Sequence, residues 1–162
     1  FLKEDRLMIP SPKVATYDLK PEMSAKEVTD KLCEAIESFH YDLIVVNYAN
    51  ADMVGHTGLM DPAIKAVEAL DECLGRLWGS VEKTGAVLGL TADHGNVESM
   101  VDAQSGKSHT AHTLNPVPFL LCGPDVYPLK PTGGLADIAA TFLDLMDIEK
   151  PTQMSGQSLL IA

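Results

Sequence analysis

Ala86-Val-Leu-Gly-Leu-Thr-Ala-Asp-His-Gly-Asn96 is the stretch on which the fold turns. Residues 86–90 form a short apolar run behind Gly85. A run of that length, bounded by turn residues, suits a strand buried on both faces of a sheet. It leads directly into Asp93 and His94, so chemistry is expected just past a strand's carboxyl end. Neighbouring side chains on an extended chain point apart, and for both to serve one ion the backbone has to turn. Gly95 permits that turn through its access to positive φ. The plainer reading is that Asp93 caps a following helix, with Asn96 competing for the same place.

Residues 43–48 are a second apolar run, ending where Asn47-Tyr-Ala-Asn-Ala-Asp-Met-Val-Gly-His-Thr-Gly58 begins. Between the two runs, Asp61-Pro62 reads as an N-cap followed by proline at the first helical position. The helix then continues from Ala63 through Glu82, with Val67, Leu70, Leu74, Leu77, Trp78 and Val81 on its apolar side, until Gly85 stops it. Upstream, residues 13–18 suit a short strand. Ser24 and Glu27 form a capping box ahead of Val28, Leu32, Ala35, Ile36 and Phe39 at helical spacing. Downstream, residues 117–122 read as a third strand and residues 135–146 as a last helix behind Gly133-Gly134.

Strand and helix in alternation predict a three-layer α/β/α fold with a mostly parallel sheet. Ligands in such sheets gather beyond the carboxyl ends of the strands, where Asp52 and Asp93 both fall. Residues 95–116 leave room for only a helical turn or two, around 97–101, and so for no full crossover helix. Residues 117–122 are therefore expected to run antiparallel. That direction brings the residues ahead of them, including His109-Thr-Ala-His-Thr113, to the same end as Asp93.

Asp52 and His56 stand four apart, on one face of a helical turn that Gly55 and Gly58 keep short. In isolation such a pair is ordinarily a surface coincidence. Here it is joined by Asp93, His94 and a further histidine, for which His109 and His112 compete. Carboxylate plus imidazole with no nearby thiol suits Mn²⁺, Zn²⁺ or Fe²⁺ at a hydrolytic or phosphoryl-transfer centre. Five such side chains are more than one ion usually takes. They point to two ions roughly 3.5–4 Å apart, clamping the attacking and leaving oxygens of an in-line displacement. His40 reads as a helix end, where a cationic imidazole favours the dipole. Asp61, Asp71, Asp102 and Asp137 have ordinary capping or surface explanations.

The 162 residues suit one domain with a proper core, and 46% hydrophobic content excludes a disordered polypeptide. With 23 acidic against 12 basic residues the formal charge is −11, a surface that repels nucleic acid and anionic lipid. No stretch approaches the ~20 apolar residues that span a bilayer. Cys33, Cys73 and Cys122 are odd in number and form no CxxC pair, so reduced, buried thiols and a cytoplasmic location are expected. The chain begins at Phe1 rather than Met, and its natural N-terminus is expected to lie upstream.

The stretch 47–58, Thr91-Ala-Asp-His-Gly-Asn96 and Thr110-Ala-His-Thr-Leu-Asn-Pro-Val-Pro118 resemble the cofactor-independent phosphoglycerate mutases. Pro10-Ser-Pro-Lys-Val-Ala-Thr-Tyr-Asp18 and Met154-Ser-Gly-Gln-Ser-Leu159 fit the same family, so the similarity runs in order through nearly the whole chain. Asp-His-Gly alone would indicate only the wider alkaline-phosphatase-like superfamily. The resemblance implies that residues 1–162 are the C-terminal portion of a metal-binding phosphatase-like domain. An N-terminal segment and an inserted transferase domain would then be missing.

It also implies two divalent ions, manganese first, with zinc, cobalt or magnesium as alternatives. Asp52, His56 and His112 would hold one ion, and Asp93 and His94 would contribute to the other. In the family an aspartate and a serine from the N-terminal part complete the second site, and that serine is the phosphorylated nucleophile. Ser11, Ser99, Ser105 and Ser108 lack a matching context, and none is assigned the role. The implied reaction interconverts 3-phosphoglycerate and 2-phosphoglycerate in glycolysis, and it would need the missing part as partner. Bound cations would reverse the local field for an anionic substrate in a chain this acidic. Two alternatives remain: a metal-dependent phosphatase or phosphodiesterase of the same superfamily, and a non-catalytic metal-binding domain.

Overall fold

The structure, a computed structural model, describes residues 3–161. Helix α1 spans Ala25–Glu37, with Ser24 at its N-cap position. The expected capping box does not form, because the Ser24 hydroxyl donates instead to the Pro10 carbonyl at 2.8 Å. Phe39 lies beyond the helix with φ 54° and is 75% exposed, so it takes no part in the core. A short helix α2, Asn50–Gly55, is followed by the long α3, Met60–Thr84, which ends at Gly85 in the left-handed conformation with φ 70°. Leu59, not Asp61, occupies the α3 N-cap. Pro62 still falls in the first turn, where a backbone N–H has no intrahelical acceptor to lose.

On α3 the buried positions are Ala63, Ala66, Ala69, Cys73, Leu77, Ser80 and Val81. This stripe is rotated from the apolar side anticipated, and Val67 is exposed together with Met60 and Ile64. The small residues of its first half let α2 come close. Val54, Ala63, Ala66 and Met100 form one core cluster with Tyr17 and Val97 packed against it. A second cluster joins Leu32, Leu77 and Val81 to Ile36, Ile44, Tyr48, Leu74, Trp78, Ala86 and Leu88. Burying side chains of this size is worth roughly 1.5–3 kcal/mol each. Thr29, fully buried, meets the Tyr48 hydroxyl at 2.7 Å and so fixes the chain just ahead of α2.

Strands β1, Leu88–Thr91, and β2, Phe119–Cys122, pair antiparallel, with Leu88 opposite Cys122 and Thr91 opposite Phe119. The direction expected for the third apolar run is the one observed. Leu88 faces α1 and α3, whereas a Cβ on Gly89 would lie 2.6 Å from the Phe142 ring of α4, Leu135–Leu145. Helices therefore cover both faces of the strand, as in an α/β/α arrangement.

Two strand expectations need correction. Residues 43–48 form no strand and pair with none among the described residues; Ile44 and Tyr48 pack against the core, while Leu43, Val45 and Val46 are exposed. The sheet among the described residues is thus the antiparallel β1–β2 pair rather than a mostly parallel one, since an apolar run joins a ladder only beside a hydrogen-bonding neighbour. Residues 13–18 form no strand. A turn bond from Val14 to the Pro12 carbonyl and the 3-10 helix Tyr17–Leu19 take their place.

The C-terminal stretch is strapped across α4. Asp137 accepts from the backbone N–H groups of Gly134 and Gln157, each at 2.8 Å, and those bonds, Gln157 foremost, hold its carboxyl below the usual range. Gly156 lies so near the Ala136 carbonyl that a Cβ there would be 2.0 Å from its oxygen. Asp137 caps the helix as anticipated and also seats this strap. The cysteines are free, but only Cys73 is buried, with Cys33 and Cys122 half-buried.

Candidate metal centre

Three separate stretches meet where β1 ends. Helix α2 carries Asp52 in its first turn and presents His56 at its C-cap. The segment after β1 carries Asp93 and His94. The segment ahead of β2 carries His112, drawn alongside by an isolated antiparallel bridge between Gly95 and Thr113. A Cβ on Gly95 would lie 2.2 Å from Thr113 Oγ1, so this close passage requires glycine.

The imidazoles converge on one carboxylate oxygen. Asp52 Oδ1 lies 3.1 Å from His56 Nε2, 3.0 Å from His112 Nε2 and 4.0 Å from His94 Nε2. The two nitrogens of His56 and His112 are themselves 3.0 Å apart. A tetrahedral ion with bonds of about 2.0–2.1 Å wants its donors about 3.3 Å apart, and an octahedral one about 2.9 Å. The observed triangle fits either.

Tautomer logic points the same way. His56 Nδ1 sits 2.7 Å from the Thr110 carbonyl oxygen, which can only accept, so that nitrogen carries the proton. In the neutral ring Nε2 is then the lone-pair side, and it is turned toward Asp52 Oδ1. A metal ion at the centre of the triangle would be within reach of all three donors. A carbonyl acceptor behind a ligand imidazole is the usual outer-sphere arrangement of a histidine metal site. Asp52, His56 and His112 together form a set able to hold an ion.

His94 is held differently. Its Nδ1 faces the Gly95 carbonyl oxygen at 3.3 Å, its ring stacks on His112 at 3.6 Å and 15°, and its Nε2 is 3.6 Å from Asp93 Oδ1. Asp93 is 85% exposed. The two make an open pair beside the closed triangle, as neighbouring residues do once the backbone turns. Asp93 caps no helix. His109 stays outside the cluster. It is half-buried, with Nδ1 donating to the Ser99 carbonyl at 3.0 Å.

Sequence reasoning missed Asn96 and Glu98. Asn96 takes the N-cap position of the 3-10 helix Val97–Ser99 without a capping side-chain bond; its Nδ2 donates instead to Asp52 Oδ1 at 2.9 Å. Glu98 accepts from the Thr113 hydroxyl, from Asn115 Nδ2 at 3.0 Å and from the Asn96 backbone N–H at 2.5 Å, clasping the turn after β1 to the segment ahead of β2. The Thr113 bond foremost, with Asn115 and backbone N–H groups, holds its carboxyl below the usual carboxylate range. A depressed pKa contributes stability that is complete above the unfolded value and is lost as pH falls through the folded one. Glu98→Gln is therefore expected to lower the urea midpoint at roughly pH 7, with the gap from wild type narrowing at acid pH as the depressed carboxyl takes up its proton. A gap of the same size at both pH values would show that the charge plays no part.

A metal-binding α/β domain is the class that fold and site define. Residues 1–150 match the Metalloenzyme superfamily, and the chain belongs to it. It is 57% identical over 162 residues to the 2,3-bisphosphoglycerate-independent phosphoglycerate mutase of Pseudomonas savastanoi pv. phaseolicola, a match covering 100% of this chain and 32% of that protein. The corresponding mutase of Pseudomonas syringae pv. syringae is 58% identical over the same coverage. A solved structure of Leishmania mexicana phosphoglycerate mutase at low cobalt concentration aligns with TM-score 0.85 and 35% identity, over 95% of this chain and 31% of that one. The chain thus spans about a third of the length of the curated relatives it matches.

Proposed function

We propose that this chain is the metal-binding portion of a cofactor-independent phosphoglycerate mutase, residues 1–162 being the C-terminal part of its phosphatase-like domain. The observation that carries this reading is the convergence of His56, His112 and Asp52 on one point, in a chain 57% identical to a named mutase. The substrate class is a small phosphorylated acid, 3-phosphoglycerate going to 2-phosphoglycerate in glycolysis. Among the described residues no helix is long and apolar enough to cross a membrane, and the charge of −11 disfavours nucleic acid. Both features are compatible with a cytoplasmic enzyme.

Asp52, His56 and His112 hold the first divalent ion in this reading. Asp93 and His94 supply part of a second site, shared with residues from the remainder of the protein. Manganese suits this oxygen-and-nitrogen donor set, with cobalt, zinc and magnesium as alternatives. When bound, such ions offset the charge that develops on a transferring phosphoryl group. The chain's own residues fix the donors. Thr110 holds the His56 tautomer, and the His94–His112 stack keeps the two imidazoles in register. The phosphoryl group passes from the 3-position to a serine of the remaining chain, and the glycerate turns before the group returns to the 2-position.

The test is ³¹P NMR of 3-phosphoglycerate with the full-length protein. Isomerisation should stop after exhaustive chelation and return with added Mn²⁺. Undiminished turnover in the chelated enzyme would refute the reading.

A further inference from the structure

We infer that Asn96 is a positioning residue that sets which way the Asp52 carboxylate faces in the metal centre. The inference rests on the reading of Asp52 as a ligand and goes beyond it. Asn96 is 95% buried by its 5% exposure, yet it sits in the turn directly after the exposed Asp93. Its Nδ2 donates to Asp52 Oδ1 at 2.9 Å, the same oxygen on which the three imidazoles converge. That bond locks the carboxylate torsion so that one oxygen, not either at random, looks into the triangle. Terminal carboxylate torsions are otherwise broad and two-fold.

The other half of the amide shows what this arrangement costs. Asn96 Oδ1 is buried with no hydrogen-bond partner. A buried amide oxygen left unpaired is unfavourable and calls for an explanation. Gly55 provides the geometric part of it. A Cβ at position 55 would stand 2.2 Å from Asn96 Oδ1 and 2.9 Å from Asn96 Cγ, so the amide fits only because α2 ends its buried face in glycine. The backbone is held as well, since Asn96 N–H donates to Glu98. An Asn secured at both ends, with one amide atom spent on the central carboxylate and the other unsatisfied, is built for orientation more than for stability.

A merely structural role and a positioning role predict different things. Asn96→Ala removes a bond to a charged oxygen and, at the same time, an unsatisfied buried oxygen. The metal-free protein should therefore melt close to wild type. Mn²⁺ affinity should fall about 10–100-fold, as for other residues that orient a ligand from outside the coordination sphere. The d–d absorption of added Co²⁺ should also change, because the Asp52 oxygen no longer holds one orientation. Gly55→Ala leaves both Asp52 and Asn96 in place but displaces the amide, and it should weaken Mn²⁺ in the same direction.

The experiment is calorimetric titration of wild type, Asn96→Ala, Gly55→Ala and His112→Ala with MnCl₂, beside melting of each metal-free protein. If His112→Ala binds as wild type does, the ligand reading fails and this inference with it. If His112→Ala is weakened while Asn96→Ala and Gly55→Ala bind Mn²⁺ as wild type does, the ligand reading stands and the positioning role is overturned. Loss of melting stability with unaltered affinity overturns it too. Should Asn96→Ala not fold, the Gly55→Ala titration decides.

Discussion

Replacing His112 by alanine is expected to lower Mn²⁺ affinity by at least about 100-fold, beyond the range typical of outer-sphere substitutions. His112 contributes one of only three donors in the closed triangle, and its Nε2 lies 3.0 Å from both Asp52 Oδ1 and His56 Nε2. Removing it leaves two protein donors, whereas sites that keep an ion generally use three or more. The loss spreads further, because His94 rests against the His112 ring at 3.6 Å. Asp93→Ala should do far less in this chain, since Asp93 is exposed and stands outside the triangle. Elemental analysis after dialysis against metal-free buffer reads the difference directly. Equal retention by wild type and His112→Ala would remove His112 from the ligand set.

The second large effect concerns catalysis. Purified residues 1–162 are expected to show no mutase turnover with 3-phosphoglycerate and Mn²⁺, and activity is expected on mixing with the separately produced remainder of the enzyme. The proposed mechanism needs a serine nucleophile that none of the serines of this chain is assigned to supply. Loss of a covalent nucleophile in a well-studied protease costs on the order of a millionfold in kcat. Holding the glycerate while it reorients also needs cations, and this chain has 12 basic residues against 23 acidic ones. Robust turnover by the chain alone would place the nucleophile within it and overturn the division of roles proposed here.

The direction of β2 and the gathering of the site at one sheet end were legible in the sequence. Residues 95–116 are too short and too poor in helical pattern for a crossover, which leaves an antiparallel return as the simple connection. The choice of His112 over His109 was not decided by residue type. It came from the family pattern, and the structure shows the difference as a bridge at Gly95–Thr113 that brings His112 onto His94. The contact of Asn96 with Asp52, and the parts played by Glu98 and Thr110, escaped notice because their partners are distant in sequence, and polar residues in a loop look alike until the chain is closed. The rotation of the α3 stripe has a similar cause. Alanines at 63, 66 and 69 carry little hydrophobic signal, yet they are buried because α2 comes close. Residues 43–48 are an apolar run of strand length, but a ladder depends on a neighbour that no pattern within those residues can specify.

His56 and His112 are 56 positions apart, and Asp52 lies 44 from the asparagine that holds it. In an unfolded chain these donors wander independently, so an ion that needs all three sees almost no binding site there. Occupancy is then tied to the folded state by mass action. A free ion at a hundred times its dissociation constant adds about 2.7 kcal/mol to unfolding, a large share of the 5–15 kcal/mol that typical domains possess. The melting temperature of this protein is in that sense a property of the solution as much as of the chain. With the ion held as proposed, a trace of chelator or of divalent ion is expected to move it, and comparisons between variants carry meaning only at a stated free metal concentration.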